Sequence, residues 1–431
     1  MNSEHSTTKL LRIIATFSAL ALSAAFVAGC SSADQAARSA AAQDGADETS
    51  SSESLEAEST TPQGDPWVVS LGDSIISGEA GRWAGNQSWS TNAVDALGDT
   101  AYHDGSGGEQ IKNCHRSKSA AIHIGDVQSM NLACSGATTY TRFDTDGSYK
   151  PGIDFYDQDG RKGQALMLQE FAAKNRVEMV ALSIGANDFK YGPTMEACVK
   201  AYLLPSALGK FCQEDGDVKR HVSDSAATKI RTDIKDAILN IAKAMENSGY
   251  SDSDWTLGLQ LYPDMLANPE DMRYPERGYD RQLKGGCGFR DKDSAWINDT
   301  YLALLNATFA DAAADAIAER PTLQVVTVDA SNALSERTLC HTQVNRVRDD
   351  GGVNNWKDPE AADQSEWVME VNIINVNDTY LQESMHPNYW GQLALRSCWR
   401  QAWNGGNIRG GVCQRDGTGL NAQGEPNMVL N

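Results

Sequence analysis

Four short apolar runs, separated by segments of helical periodicity, constrain this chain more than any other feature. They are WVVSLGD at Trp67 to Asp73, VEMVALSIG at Val177 to Gly185, WTLGLQLYP at Trp255 to Pro263 and LQVVTVDA at Leu323 to Ala330. Continuous rather than alternating apolarity is what strands buried on both faces of a parallel sheet require. Between the runs, Ile230, Ile234, Ile238, Ile241 and Met245 recur at helix spacing until Asn247, Ser248 and Gly249 stop the segment. The stretch Trp296 to Arg320 behaves alike and ends at Pro321. Strands alternating with helices predict an α/β fold: a three-layer α/β/α sandwich with a central parallel sheet and right-handed crossovers. No internal repeat divides it, so residues 65–431 read as a single domain with large insertions.

In an open parallel sheet, ligands bind beyond the carboxyl ends of the strands. Ser74 lies just past the end of the first run and Asn187 just past the second. Both sit in short motifs that occur in a fixed order: GDSIISGE at Gly72 to Glu79, ACSGA at Ala133 to Ala137, GAND at Gly185 to Asp188 and ESMHP at Glu383 to Pro387. Taken singly, these are a helix cap, a turn glycine, a turn asparagine and an unremarkable histidine. Taken together, they supply a hydroxyl nucleophile, a base, and backbone and amide donors for an oxyanion, which are the parts acyl-ester cleavage needs.

In order and content the blocks resemble the SGNH, or GDSL, hydrolase superfamily, over a span from about Trp67 to Trp403. The NCHRS at Asn113 to Ser117 resembles a signature of its disulfide-containing secreted bacterial esterases and lipases. The resemblance implies the sandwich fold, Ser74 as nucleophile, His386 as base, and an oxyanion hole made by the Ser74 and Gly136 N–H groups with the Asn187 amide. Ser74 would open a helix whose free amides favour negative charge, and Asp188 is expected to stabilise its turn. The family has an aspartate three residues before the histidine, and here that position is Glu383. A glutamate can orient an imidazole; the alternatives are Asp378, a backbone carbonyl near Ser384, or no third member. His115 reads as structural and the remaining histidines as surface or loop residues. No metal and no organic cofactor is implied.

The N-terminus carries Lys9 and Arg12, an apolar stretch from Ile13 to Val27 too short to span a membrane with ease, and then VAGC ending at Cys30. Residues 1–30 therefore read as a lipoprotein signal peptide with Cys30 as the lipidated residue, and an ordinary cleaved signal as the alternative. Nine cysteines are an odd number, and removing Cys30 leaves eight, which can pair completely. Many connectivities are possible; neighbouring pairs are the simplest, Cys114–Cys134, Cys198–Cys212, Cys287–Cys340 and Cys398–Cys413. With no C-x-x-C present, a zinc site is disfavoured. Residues 31–64 are Ala, Ser, Thr and acidic side chains with little to bury, the composition of a disordered tether.

The net charge of −21 argues against nucleic acid as a partner and disfavours electrostatic adhesion to an anionic membrane, leaving acyl chains on Cys30 as the anchor. The expected protein is an extracytoplasmic serine esterase or lipase, anchored to a bacterial cell membrane or else secreted, acting on a small-molecule, lipid or glycan acyl ester. An acyltransferase or polysaccharide deacetylase would use the same site. A ligand-binding lipoprotein without turnover is the reading from another class. Acyl and alcohol specificity rest with the insertions, in which Trp83, Trp89 and Trp356 read as packing residues. Asp157 and Asp159 lack the glutamate that a calcium loop needs. Oligomeric state is not legible.

Overall fold

The four apolar runs become consecutive central strands of one sheet. In the computed structural model, which describes residues 61–87, 91–144, 147–205, 210–348, 351–372 and 382–431, they are β1 (Trp67–Gly72), β3 (Val177–Ser183), β4 (Thr256–Gln260) and β5 (Val325–Asp329). The described residues add β2 (Gln128–Asn131), β6 (Gly411–Leu420) and β7 (Pro426–Leu430), and the sheet runs β7-β6-β5-β4-β3-β1-β2. All pairings are parallel except the terminal β6–β7 hairpin. These residues belong to one compact unit, Ser59–Asn431. The expected signal peptide, Cys30, most of the tether, Trp89 and Asp378 lie outside the described residues.

The sheet is flanked by helices: α1 (Ser74–Ser77), α2 (Gln164–Ala172), α3 (Tyr191–Leu203), α4 (Asp224–Asn247), α5 (Ala303–Glu319) and α6 (Tyr389–Trp403). The Ile230 to Met245 stripe is the buried face of α4, which begins at a Ser223 side-chain cap and packs against α2 and α5. The predicted Trp296 to Arg320 helix is less regular. A turn at Asp291–Trp296 passes through a π-helical segment, Ile297–Leu302, before α5 proper.

Helix α6 lies against β4 through Trp399, whose indole N–H donates to Gln260 Oε1 at 2.6 Å and whose ring covers Gly258. Both partners are buried, and the contact fixes the helix that follows the ESMHP block. The described cysteines form four disulfides: Cys114–Cys134, Cys198–Cys212, Cys287–Cys340 and Cys398–Cys413. Cys287–Cys340 joins two long insertions across 53 residues of sequence, and Cys398–Cys413 ties α6 to β6. Such closures stabilise chiefly by limiting the unfolded chain. No helix among the described residues is long and apolar enough to cross a membrane.

The Trp399 contact is testable. A methyl group on residue 258 would sit 2.7 Å from the indole ring, so Gly258→Ala is expected to destabilise by about 1–3 kcal/mol through overpacking. Thermal unfolding should show a lowered Tm together with a changed near-ultraviolet tryptophan signal.

Candidate active site

The site begins with a backbone constraint. Gly72, the last residue of β1, has φ +131°, and a Cβ there would meet the Ser183 carbonyl oxygen at 1.9 Å. The close approach lets Asp73 N–H donate to Ser183 O at 2.9 Å, so the chain turns over the end of β3. Gln164 clamps the turn from the other side. Its Oε1 accepts from Gly72 N–H at 2.7 Å and its Nε2 donates to Gly72 O at 2.9 Å. Asp73 then caps the four-residue α1 by accepting from Ile75 N–H, and Tyr262 O–H donates to its other oxygen. Burial pushes the Asp73 carboxyl up to about 7, against the lowering effect of the Tyr262 bond.

Ser74 emerges from this turn with its hydroxyl 2.6 Å from His386 Nε2. The other imidazole nitrogen, Nδ1, lies 2.9 Å from the carbonyl oxygen of Ser384. A carbonyl only accepts, so Nδ1 carries the proton and Nε2 presents its lone pair to the Ser74 hydroxyl. Burial lowers the His386 pKa, opposed by the charge of Glu79 and by the Ser384 bond, which leaves the ring neutral and able to accept a proton at neutral pH. The histidine loop is held by Met385 N–H to Met369 O at 3.1 Å, Met369 N–H to His386 O at 3.0 Å, and the Asn388 cap of α6.

Glu383 lies elsewhere than expected. Its carboxylate accepts from Trp83 Nε1–H at 2.8 Å and from Tyr102 O–H, and the structure gives it no hydrogen bond to the His386 ring. The third position beside the imidazole is filled by the Ser384 carbonyl, the backbone alternative, while Asp378 lies outside the described residues. With two donors fixing its oxygens, the extra methylene of glutamate turns the group toward Trp83, itself fully buried, rather than toward Nδ1.

The glycine and asparagine blocks are bonded to the serine block and to each other. Cys134 N–H donates to Gly72 O at 3.0 Å, Asn187 Nδ2 donates to Ala137 O at 2.9 Å, and Thr139 donates through its N–H and hydroxyl to Asp188. Asp188 thus braces the two loops, and burial raises its pKa to about 6. Gly136 has φ +81°, with the buried Lys150 chain packed where a Cβ would point. Cations hold the carbonyls of this loop: Arg142 on Gly136 O at 2.8 Å, and Arg116 on Ala133 O and Leu132 O at 2.7 and 2.9 Å. With its carbonyls so engaged, the loop leaves the Gly136 N–H without an acceptor among the described residues, a donor available to an oxyanion. No group of three or more His, Cys, Asp and Glu side chains among the described residues is arranged to hold a metal ion.

A sequence model of the GDSL-like lipase/acylhydrolase family matches residues 68–395. The chain belongs to that family. It is an SGNH-type ester hydrolase, and all four blocks fall within the matched span. Similar solved structures include an extracellular lipase from Streptomyces rimosus (16% identity over 76% of this chain and 94% of that chain, TM-score 0.37). A phospholipase A1 from Streptomyces albidoflavus is 18% identical over 76% of this chain and 95% of that chain, with TM-score 0.41. An acetyl xylan esterase from Butyrivibrio proteoclasticus is 13% identical over 65% and 59%, with TM-score 0.31. No curated protein matches the chain.

Several residues of this hydrolase that shape the site carry no motif. Gln164 and Lys150 bond the backbone of Gly72 and Asn113 from 92 and 37 residues away, and Arg142 bonds Gly136 O from a loop position that no pattern marks. Tyr262 had a signal in its position, at the end of the third apolar run. Trp83 packs as expected but also donates to Glu383.

The environment of Glu383 sets a pH dependence of stability. Burial, and next the charge of Glu79, raise its pKa from 4.5 to about 7. Between those values the folded protein keeps a proton that the unfolded chain releases, so this contribution is present below pH 4.5 and is lost as pH rises through 7. Glu383→Gln mimics the protonated group without the titration: its oxygen accepts from Trp83 and its amide N–H donates to the Tyr102 hydroxyl. The expected result is a Tm that falls less between pH 5 and pH 8 in the variant than in the wild type, worth up to about 3 kcal/mol.

Proposed function

We propose that this ester hydrolase works as an exported, lipid-anchored serine esterase. Ser74 Oγ attacks the ester carbonyl, His386 Nε2 takes its proton and returns it to the leaving alcohol, and water then releases the acyl group from Ser74 by the same route. The Ser74 and Gly136 N–H groups and the Asn187 amide hold the oxyanion. The Ser384 carbonyl fixes the imidazole tautomer, so a backbone acceptor fills the third place of the triad. The observation that carries this reading is the 2.6 Å contact between Ser74 Oγ and His386 Nε2, with Nδ1 already committed as a donor.

Lipid anchoring is supported by arithmetic. Nine cysteines less the eight in disulfides leave one, Cys30, at the end of the Val27 to Cys30 segment. Four disulfides are what a chain folded in an oxidising, extracytoplasmic compartment carries. We assign residues 1–30 to the signal and 31–64 to a tether that lets the catalytic domain reach substrate beyond the membrane surface.

Fluorophosphonate labelling of the purified protein tests the nucleophile. Labelling is expected in the wild type and absent in Ser74→Ala, and His386→Ala should lower kcat/KM by about 1,000-fold or more. Labelling that persists in Ser74→Ala would refute the assignment. A panel of acyl esters of increasing chain length and of acetylated glycans, with and without alcohol acceptors, separates hydrolysis from acyl transfer and fixes the substrate class. Cys30→Ser should release the protein from membranes into the medium.

A further inference from the structure

Four residues that the ester chemistry leaves unused form a polar cluster that is bonded to Glu383, three residues before His386. Glu79, fully buried, is bonded through Oε1 to His115 Nδ1 at 2.7 Å. The ring of Tyr102 stacks on His115 with centroids 4.4 Å apart, and its hydroxyl donates to Glu383. Glu109 closes the far side, accepting from His115 N–H at 2.7 Å, with its Oε1 4.0 Å from His115 Nε2. Main-chain links tie the cluster to both halves of the reacting pair. Glu79 N–H donates to the carbonyl of Ser74 at 3.1 Å, while Glu383 and Gln382, which donates to Ser135 Oγ at 2.6 Å, belong to the segment that carries His386.

We propose that Glu79, paired with His115, is the carboxylate that supports the His386 imidazole in place of Glu383, an inference that rests on the Ser74–His386 reading above. Two carboxyls close together in a dry pocket do not both ionise cheaply, and the one with a cationic partner keeps the charge. That partner is His115, which is bonded to Glu79 and has Glu109 and Glu383 as its more distant acidic neighbours. Burial raises the Glu79 pKa, but the charge and hydrogen bond of His115 more than offset it, and the group falls below the usual carboxylate range. Glu383 has only neutral donors, Trp83 and Tyr102, and goes the other way. His115 is correspondingly raised despite its burial, with Glu79 the first cause and Glu109 and Glu383 adding to it.

The other groups facing Glu79 are Ser135, Lys150 and His386 itself. When Ser74 Oγ forms its bond to the acyl carbon, its proton moves to His386 Nε2 and the imidazole becomes a cation. The fixed negative charge of Glu79 stabilises that cation more than His115 opposes it, the order in which the two act on His386. No proton passes to Glu79. It is a positioning residue acting through charge, since no hydrogen bond joins it to His386 in the structure.

The test is the pH profile of kcat/KM for a soluble acyl ester in wild type, Glu79→Gln, Glu383→Gln and the double variant Glu79→Gln/His115→Gln, with Tm as the measure of folding. Losing the anion makes the imidazolium harder to form. In Glu79→Gln the acidic limb should therefore move to lower pH, by about one unit, while the plateau kcat falls by about 10–100-fold and KM changes little. The double variant buries no lone charge, so it answers for the case in which the single variant folds poorly; its limb should move the same way by a smaller amount. A limb that stays at the wild-type pH in both Glu79 variants overturns the proposal, as does a larger displacement in Glu383→Gln than in Glu79→Gln. Loss of Ser74-dependent labelling in the wild type would instead strike the underlying serine mechanism, so the two failures are distinguishable.

Discussion

The site depends first on a contact that has no side chain in it: the passage of Gly72 across the Ser183 carbonyl. Only a residue without a Cβ can come that close with φ +131°. The consequence is that the ends of β1 and β3 are locked together by Asp73 N–H on Ser183 O, so the loops leaving them share one edge of the sheet. Gln164 reinforces this by bonding both the N–H and the carbonyl of Gly72, whose carbonyl also accepts from Cys134 N–H. A buried amide pair of this kind adds about 1 kcal/mol per bond and also fixes direction. Direction matters more here, because the serine follows two residues later.

His386 reaches the same edge from 312 residues away by an independent route. Its loop pairs with Met369, and the segment around Met369 is held by buried charges. Arg346 pairs with Glu370 at 2.7 Å, and Glu366 is bonded to Arg273 and Asn86. Buried ion pairs are weak sources of net stability, since desolvation consumes most of the attraction, but breaking one partner is costly. Long polar loops cannot bury enough apolar surface to fix themselves, and charge pairs with few satisfying geometries restrict them instead. The Cys287–Cys340 bridge acts on the same two insertions. Together these fix a loop whose sequence has no regular pattern.

This division explains what the sequence made legible. The strand runs and the α4 stripe declare themselves because burial on both faces, or on one helical face, leaves a periodic apolar signal. β2 and the β6–β7 hairpin do not, because Gln128 to Asn131 is short and polar and β6, between β5 and the edge strand β7, is mostly exposed, so backbone pairing rather than an apolar pattern holds it. Ser74, Gly136, Asn187 and His386 were legible as an ordered set. Glu383 was misleading for a physical reason: the group that accepts from His386 Nδ1 is a main-chain carbonyl, and every residue carries one. The NCHRS motif marks His115 but not its partner, since the pairing with Glu79 spans 36 residues and no spacing rule links them.

The electrostatics of the site follow from which buried acids have cations beside them. Asp73, Asp188 and Glu383 are served by neutral donors, and burial raises all three to values between about 6 and 7. Glu79 alone among these four is lowered, because an imidazole that burial would otherwise keep neutral is bonded to it. In a chain with a net charge of −21, burial thus weakens three of these four acids, and the one bonded to an imidazole holds its charge most readily. Were the other three ionised as well, their summed field would oppose the oxyanion as strongly as it favoured the imidazolium, since both charges form within the same small volume. On the glycine loop the charges have the other sign, with Arg116 bonded to the Ala133 carbonyl and Arg142 to the Gly136 carbonyl. The site can then stabilise opposite charges a few ångströms apart.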